Sequence, residues 1–361
     1  MLNEIDFPIE GFYADTLLIL EGIIILISLE VSFIFWFRTI RNKNQIKKLQ
    51  EKAYIWLFLG FSFMWIFFII ADHFVENGST RLVFLEFGYL ALGSGGIIFI
   101  YGIEKYKTLL RKFLFSIIFI IYLIFFIIIS IIQINFAQTF SFFFWPIFLL
   151  FFIFYSNELG SLFKKNPLLG DYKKSFIKLV SGFLLLILGF GLTTDFSINI
   201  LGLEARLAGD ILQLMAFIFL YLFFSSIPSF SEYDWQEKIN NLFIIHKSGL
   251  LIYKKSFHIE EEESYDSVTS GTITMLKIML ETISDQETST FIEKKGKSVI
   301  IQPGKYIYGA LIADEKLSSL QILLRNFVSA IEYTYANILK NWEGDLKVFR
   351  PIDKIAEEFF F

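Results

Sequence analysis

The sequence predicts a polytopic α-helical membrane domain followed by a two-layer α+β domain, and three observations predict it. Hydrophobic residues make up 55% of 361, with 46 Phe among them, an apolar share well above that of a soluble domain. Charged residues, 19% of the chain, are sparse before Phe230 and frequent after it, so one boundary divides two environments. Before that boundary lie seven apolar stretches, after it short alternating runs and amphipathic patterns.

A helix needs about 20 mostly apolar residues to cross a hydrocarbon core of ~30 Å, because each residue rises only ~1.5 Å. The stretches that qualify are 13–37, 53–74, 82–103, 109–134, 139–156, 175–190 and 207–224. The fourth is the most apolar, the fifth carries Pro146, where a kink is expected, and the sixth is short.

Lys and Arg accumulate in short cytoplasmic loops. The first connection holds Arg38, Arg41, Lys43, Lys47, Lys48 and Lys52; the third holds Lys105, Lys107, Arg111 and Lys112; the fifth holds Lys164, Lys165, Lys173, Lys174 and Lys178. The even connections hold Arg81 and Arg206. Fifteen basic residues against two put the odd loops and everything after the seventh span in the cytoplasm, and the N-terminus outside. The first loop is also expected to meet anionic headgroups. Residues 1–12 carry Glu4, Asp6 and Glu10 without a Lys or Arg, the opposite of a signal peptide's basic start, and no cleavage is expected. The division is an extracellular tail 1–12, a seven-helix domain 13–228, a linker 229–240 and a cytoplasmic domain 241–361, in a protein of the cell membrane.

The cytoplasmic domain opens with NLFIIHKSGLLIYKKSF, two β-rich runs around a turn in which Gly249 supplies φ > 0. Residues 267–284 place Ile273, Leu276, Met279, Leu280 and Ile283 at helical spacing, with Asp266 or Ser267 as N-cap. Three further strands, STFIEKK, SVIIQ and YIYGALIA, are separated by turns at Gly296 and Pro303-Gly304 and predict an antiparallel meander. A long helix follows from Ser318 to Trp342, its apolar stripe running from Leu320 through Phe327 to Ile338 and Trp342, with Gly344 after it. A last helix begins near Pro351 and turns Ile355 and Phe359 inward. The order ββαβββαα implies one five-stranded antiparallel sheet with helices packed on it.

Over residues 240–361 this order, the opening IIHKSGLLIYKKSF, the strand YIYGALIAD running into a long helix and the ending NWEGDLKVF resemble the longin and roadblock superfamily of small-GTPase-associated domains. The strands-first order is closer to longin. The resemblance implies a non-enzymatic platform that binds small GTPases, its own kind or trafficking proteins; it carries over no particular contact residue. An unrelated α+β domain is the competing expectation.

Catalytic chemistry is not expected. The chain has no Cys and only His73, His246 and His258, which leaves no thiolate nucleophile, disulfide or cysteine-ligated metal. Gly296-Lys297-Ser298 lacks the earlier Gly of a P-loop, since position 291 is Phe. HExxH, GxSxG and the kinase signatures are absent. The seventh span has neither the Lys that holds retinal in rhodopsins nor an Asn-Pro pair. No cofactor, metal or nucleic acid is expected.

Charge inside a span is costly, by about 2.5 to 3.5 kcal/mol at the helix centre on insertion scales. Glu21, Asp72, His73, Glu86 and Asp210 all fall in the outer half of their spans. Converging, they would attract a cation, an amine or a proton, with Arg206 or Arg81 as counter-charge. The competing expectation is that all but Glu21 lie within a turn of water and are solvated; Glu21 sits roughly 12 Å along its helix. Glu30 has no evident partner and faces another helix or snorkels. Gly93-Ser94-Gly95-Gly96 in the third span suits close helix packing.

These readings converge on a receptor-like or scaffold membrane protein whose cytoplasmic domain recruits a small GTPase or a related longin/roadblock-domain protein, with a homodimer as a further expected partnership. The alternative is an ion-coupled transporter with a regulatory cytoplasmic domain, against which stand the odd span count and the absence of a visible inverted repeat.

Overall fold

A computed structural model describes residues 7–42, 44–106, 110–165, 172–227, 230–232, 235–257, 290–294, 297–342 and 344–360. The predicted helix over 267–284 and the turn at Gly296 lie outside the described residues. The chain divides into two compact units, Met1–Phe230 and Ser231–Phe361.

The first unit is helical: α1 (Phe12–Arg41), α2 (Gln45–Phe74), α3 (Gly78–Tyr106), α4 (Leu114–Ile132), α5 (Ile134–Ser141), α6 (Phe144–Lys165), α7 (Tyr172–Leu192), α8 (Asp195–Leu201) and α9 (Leu203–Ser226). Among the described residues seven helices are long and apolar enough to cross a membrane; the short α8 comes in addition to the predicted spans, and the short α5 leads into the fifth. Within the candidate span Thr139–Gly160, Pro146 lies in the first turn of α6, where its missing N–H has no intrahelical partner to lose. The chain turns just before it, at Phe142 and Phe143. The fourth span starts later than predicted, at Leu114, because Phe113 takes a left-handed conformation (φ 61°).

Helix α2 packs between α1 and α3, and α9 packs between α1 and α7. Glycine permits the first of these contacts. A Cβ on Gly95 would stand 2.6 Å from the Trp56 carbonyl oxygen and 2.9 Å from Gly60 Cα, and one on Gly102 would stand 2.7 Å from Ala53 Cβ. Gly88, Gly95 and Gly102 recur every seven residues along α3, the spacing that keeps one face against a neighbour. Aromatic side chains fill the centre. Phe99 meets Phe148, Phe151, Phe152 and Phe224, and the Tyr54 and Phe224 rings lie 4.4 Å apart. Apolar residues also cover the outside: Leu26, Phe33, Ile121, Phe125, Leu188 and Ile218 are exposed. Glu30 lies on the same exposed side of α1.

The second unit contains β1 (Ile239–His246), β2 (Leu251–Ser256), β3 (Thr290–Lys294), β4 (Lys297–Pro303), β5 (Ile307–Ala313), α10 (Ser318–Lys340) and α11 (Ile352–Phe360). The sheet is antiparallel with order β2-β1-β5-β4-β3, so β3, β4 and β5 form the expected meander and β1 closes onto β5. Gly249 has φ 88° in the β1–β2 turn. One face, with Ile244, Gly309 and Leu311, receives α10; Gly309 leaves room for Leu324 and Val328. The opposite face, with Phe243, Ile245, Ile301, Tyr308 and Ala310, is also buried, as befits a sheet used on both sides. The apolar stripe of α10 departs from expectation near its end. Tyr335 leaves helical geometry (φ −111°, ψ 15°), which turns Tyr335 and Leu339 inward and leaves Ile338 37% exposed. Trp342 follows the helix and packs on His246 and Phe349.

Candidate functional site: a buried charge cluster

Four helix ends meet at one extremity of the helical unit: the start of α1, the end of α2, the start of α3 and the start of α9. Each brings a charge into an apolar run. Arg206 of α9, 1% exposed, joins them. Its Nε and Nη2 donate to Glu21 Oε1 (2.8 and 2.6 Å), and its Nη1 donates to Asp72 Oδ2 (2.7 Å). Asp72 Oδ1 accepts from Arg81 Nε (2.7 Å), and the two Nη atoms of Arg81 grip Asp195 Oδ2 and Oδ1 at 2.9 and 2.7 Å. Glu21 Oε2 lies 3.2 Å from His73 Nε2. The chain of contacts runs His73, Glu21, Arg206, Asp72, Arg81, Asp195. Glu21 and Asp72 are 0% and 3% exposed.

The solvated alternative therefore does not describe Asp72 or Asp210; both are buried inside protein. Asp210 stands one turn after Arg206 on α9 and is 0% exposed, and neither carboxylate oxygen has a hydrogen-bond partner among the described residues. One turn further, Gln213 accepts from Trp65 Nε1 at 3.2 Å while its own Nε2 has no partner. Glu86 belongs elsewhere: it is buried beside Ser130 of α4, and its Oε1 is unpartnered. The structure thus brings Glu21, Asp72 and His73 together around Arg206 and Arg81, keeps Asp210 next to them without a bond, and leaves Glu86 out.

Asp195 was not anticipated. It opens α8, where Thr194 caps the helix by accepting from Ser197 N, and nothing in GLTTDFS distinguishes it from a loop acid. The signal available was Arg81, a base at the edge of a span that needs an anion. The N-terminal segment covers the same end. Ile9 N donates to the Asp72 carbonyl at 2.8 Å, and the Phe7 ring lies 3.4 Å from the Arg81 guanidinium carbon, a cation–π contact strengthened by desolvation.

Buried charges at the opposite end have structural roles. Glu104, 1% exposed, accepts from Phe115 N, Ser116 N and Ser116 Oγ at 2.9, 2.8 and 2.6 Å. It thereby caps α4, whose own N-cap residue is Phe113. Arg38 pairs with Glu51 at 3.2 Å, and Lys47 Nζ donates to the Ile227 carbonyl at 2.7 Å.

The charge cluster contains four carboxylates (Glu21, Asp72, Asp195, Asp210) against two guanidiniums (Arg81, Arg206) and one imidazole (His73). With every carboxylate ionised such a set would carry net negative charge in a largely buried place, which attracts a proton or other cation. Among the described residues no group of three or more His, Asp or Glu is arranged to hold a metal ion. No protein-family model, curated protein or solved structure matches this chain.

Proposed function

We propose that the protein is a multi-pass, receptor-like membrane protein in which the buried charge cluster senses a cationic species, a proton included, and the α+β unit recruits a small GTPase or a related partner at the inner surface. The observation that carries the sensing half is the network from Glu21 through Arg206 to Asp195. Helix ends held by ion pairs with one carboxylate left over form an element whose stability depends on what neutralises the remainder.

The apolar exterior of the seven helices supports a lipid environment, and the distribution of basic residues supports a cytoplasmic α+β unit. The longin-like reading of that unit draws support from the sheet order β2-β1-β5-β4-β3 and from α10 following β5. Full-length protein in lipid nanodiscs, incubated with small GTPases loaded with GDP or a non-hydrolysable GTP analogue, tests the recruitment. Retention in one nucleotide state is expected; retention in neither contradicts it.

The surplus of carboxylates favours a second reading, an ion-coupled carrier with the cluster on its ion path. Proteoliposomes separate the two: the receptor reading expects no cation flux above that of empty liposomes.

A further inference from the structure

A fully buried carboxylate with two unpartnered oxygens is the least stable arrangement in the helical unit if it is ionised. Asp210 is in that position, at 0% exposure. Its charged neighbours are Arg206 on its own helix and Glu21 on α1. Arg206 is already engaged by Glu21 and Asp72, and His73 lies against the far oxygen of Glu21. From α7, which packs on α9 at Gly189 and Gly209, no ionisable residue lies between Lys178 and the helix end. Among the described residues, Asp210 therefore has only a share in a guanidinium already bonded to two other carboxylates.

Two neutralising species can be distinguished by what surrounds the carboxylate. A metal ion needs several oxygen donors around it, whereas Asp210 has a guanidinium one turn away and the unpartnered N–H donors of Gln213 in the other direction. Among the described residues no metal-holding group forms. A proton needs no room and no further ligand, and it turns the least tolerable buried species into a neutral acid.

We propose that Asp210 is a proton-binding site and that the closed cluster of helix ends persists only while Asp210 is loaded. Losing the proton leaves two carboxylates, Asp210 and Glu21, to share a single guanidinium, and their repulsion separates α9 from α1. The inference deepens the sensing half of the proposed function and rests on it for its purpose, making the sensed species the proton. GTPase recruitment can fail while the protonation signal stands, and the reverse, so the two experiments fail separately.

Because losing the proton opens the cluster, the loaded fold is expected to lose stability as pH rises. The test is infrared spectroscopy of the full-length protein in nanodiscs with carboxyl-13C-aspartate, combined with thermal unfolding across pH. A protonated aspartic acid carbonyl band is expected at neutral pH. It should shift with the label, disappear in Asp210→Asn, and fade at the alkaline pH where the wild type, but not Asp210→Asn, loses stability. If Asp210→Asn does not fold, Asp210→Glu should move the band to a position insensitive to the aspartate label. A neutral-pH spectrum without the band overturns the proposal, as does a band that survives both substitutions. Stabilisation by sodium but not by N-methylglucamine, with no protonated band, overturns it in favour of a bound cation.

Discussion

Arg206 satisfies two carboxylates from two other helices, so the cost of removing it lies in what it leaves behind. Glu21 would keep only His73 and Asp72 only Arg81, each with one buried oxygen stripped of its guanidinium. Breaking a buried pair from one side costs about 3 to 5 kcal/mol, whereas replacing all partners together is often neutral. Arg206→Met should therefore lower the thermal midpoint sharply, and the triple replacement Arg206→Met, Glu21→Gln, Asp72→Asn should recover much of the loss. A single substitution without effect on the midpoint would remove the cluster from the account. Glu21→Gln alone should abolish a pH or ligand response while the protein still folds; an unchanged response in folded protein excludes Glu21. At this scale the sequence was readable wherever a charge interrupts an apolar run. Glu21, Asp72, His73 and Asp210 stand out on that ground. Glu86 stands out equally and lies apart, because depth along a helix carries no information about the direction a side chain faces. Asp195 and Glu104 were hidden for the opposite reason, sitting in polar surroundings where an acid excites no question.

Phe113 before α4 and Leu317 before α10 have side chains that cannot cap a helix. Each helix is capped from a distance by a buried glutamate. Glu232 accepts from Ser318 N, Ser319 N and Ser319 Oγ at 2.8, 2.9 and 2.7 Å, as Glu104 does for α4. An acid at a helix start also meets the positive end of the helix dipole. Glu232→Ala should cost roughly 1 to 2 kcal/mol and raise hydrogen exchange first at the amides of Ser318 and Ser319; uniform protection in the variant would count against the cap. The α2–α3 contact gives a harder constraint. Gly95→Leu has no space beside the Trp56 carbonyl and should prevent the helices from closing, whereas substitution of Gly22, which has open space around it, should be tolerated in expression and melting. In the α+β unit, burial first and a hydrogen bond to Asp353 second push the Tyr253 phenol well above its ordinary value. Its contribution to stability is present below about pH 10, the ordinary value for tyrosine, and is lost as pH climbs through the raised one. Tyr253→Phe should flatten that alkaline dependence. Element types were well marked by period and turn chemistry. Their ends were not, because Phe113 and Tyr335 depart from regular geometry through local packing that no periodicity records.

Over the whole molecule the account depends on direction. The helical unit exposes apolar side chains around its circumference and keeps most of its charges at helix ends or buried, Glu30 on the outside of α1 excepted, which is close to the distribution lipid demands. Orientation rests on fifteen basic residues in the odd connections against Arg81 and Arg206 in the even ones. In the structure Arg81 and Arg206 are both engaged by buried carboxylates, as Arg38 of the first connection is by Glu51. In the proposed orientation the charge cluster faces outside and the α+β unit faces the cytoplasm. The absence of cysteine makes this directly measurable. In intact cells a membrane-impermeant maleimide should label Glu76→Cys, an exposed position between α2 and α3, and should leave Leu250→Cys, exposed in the β1–β2 turn, unlabelled until the cells are lysed. Labelling at Leu250→Cys and protection at Glu76→Cys would reverse the orientation and contradict both a sensor facing outward and a recruiting domain facing inward.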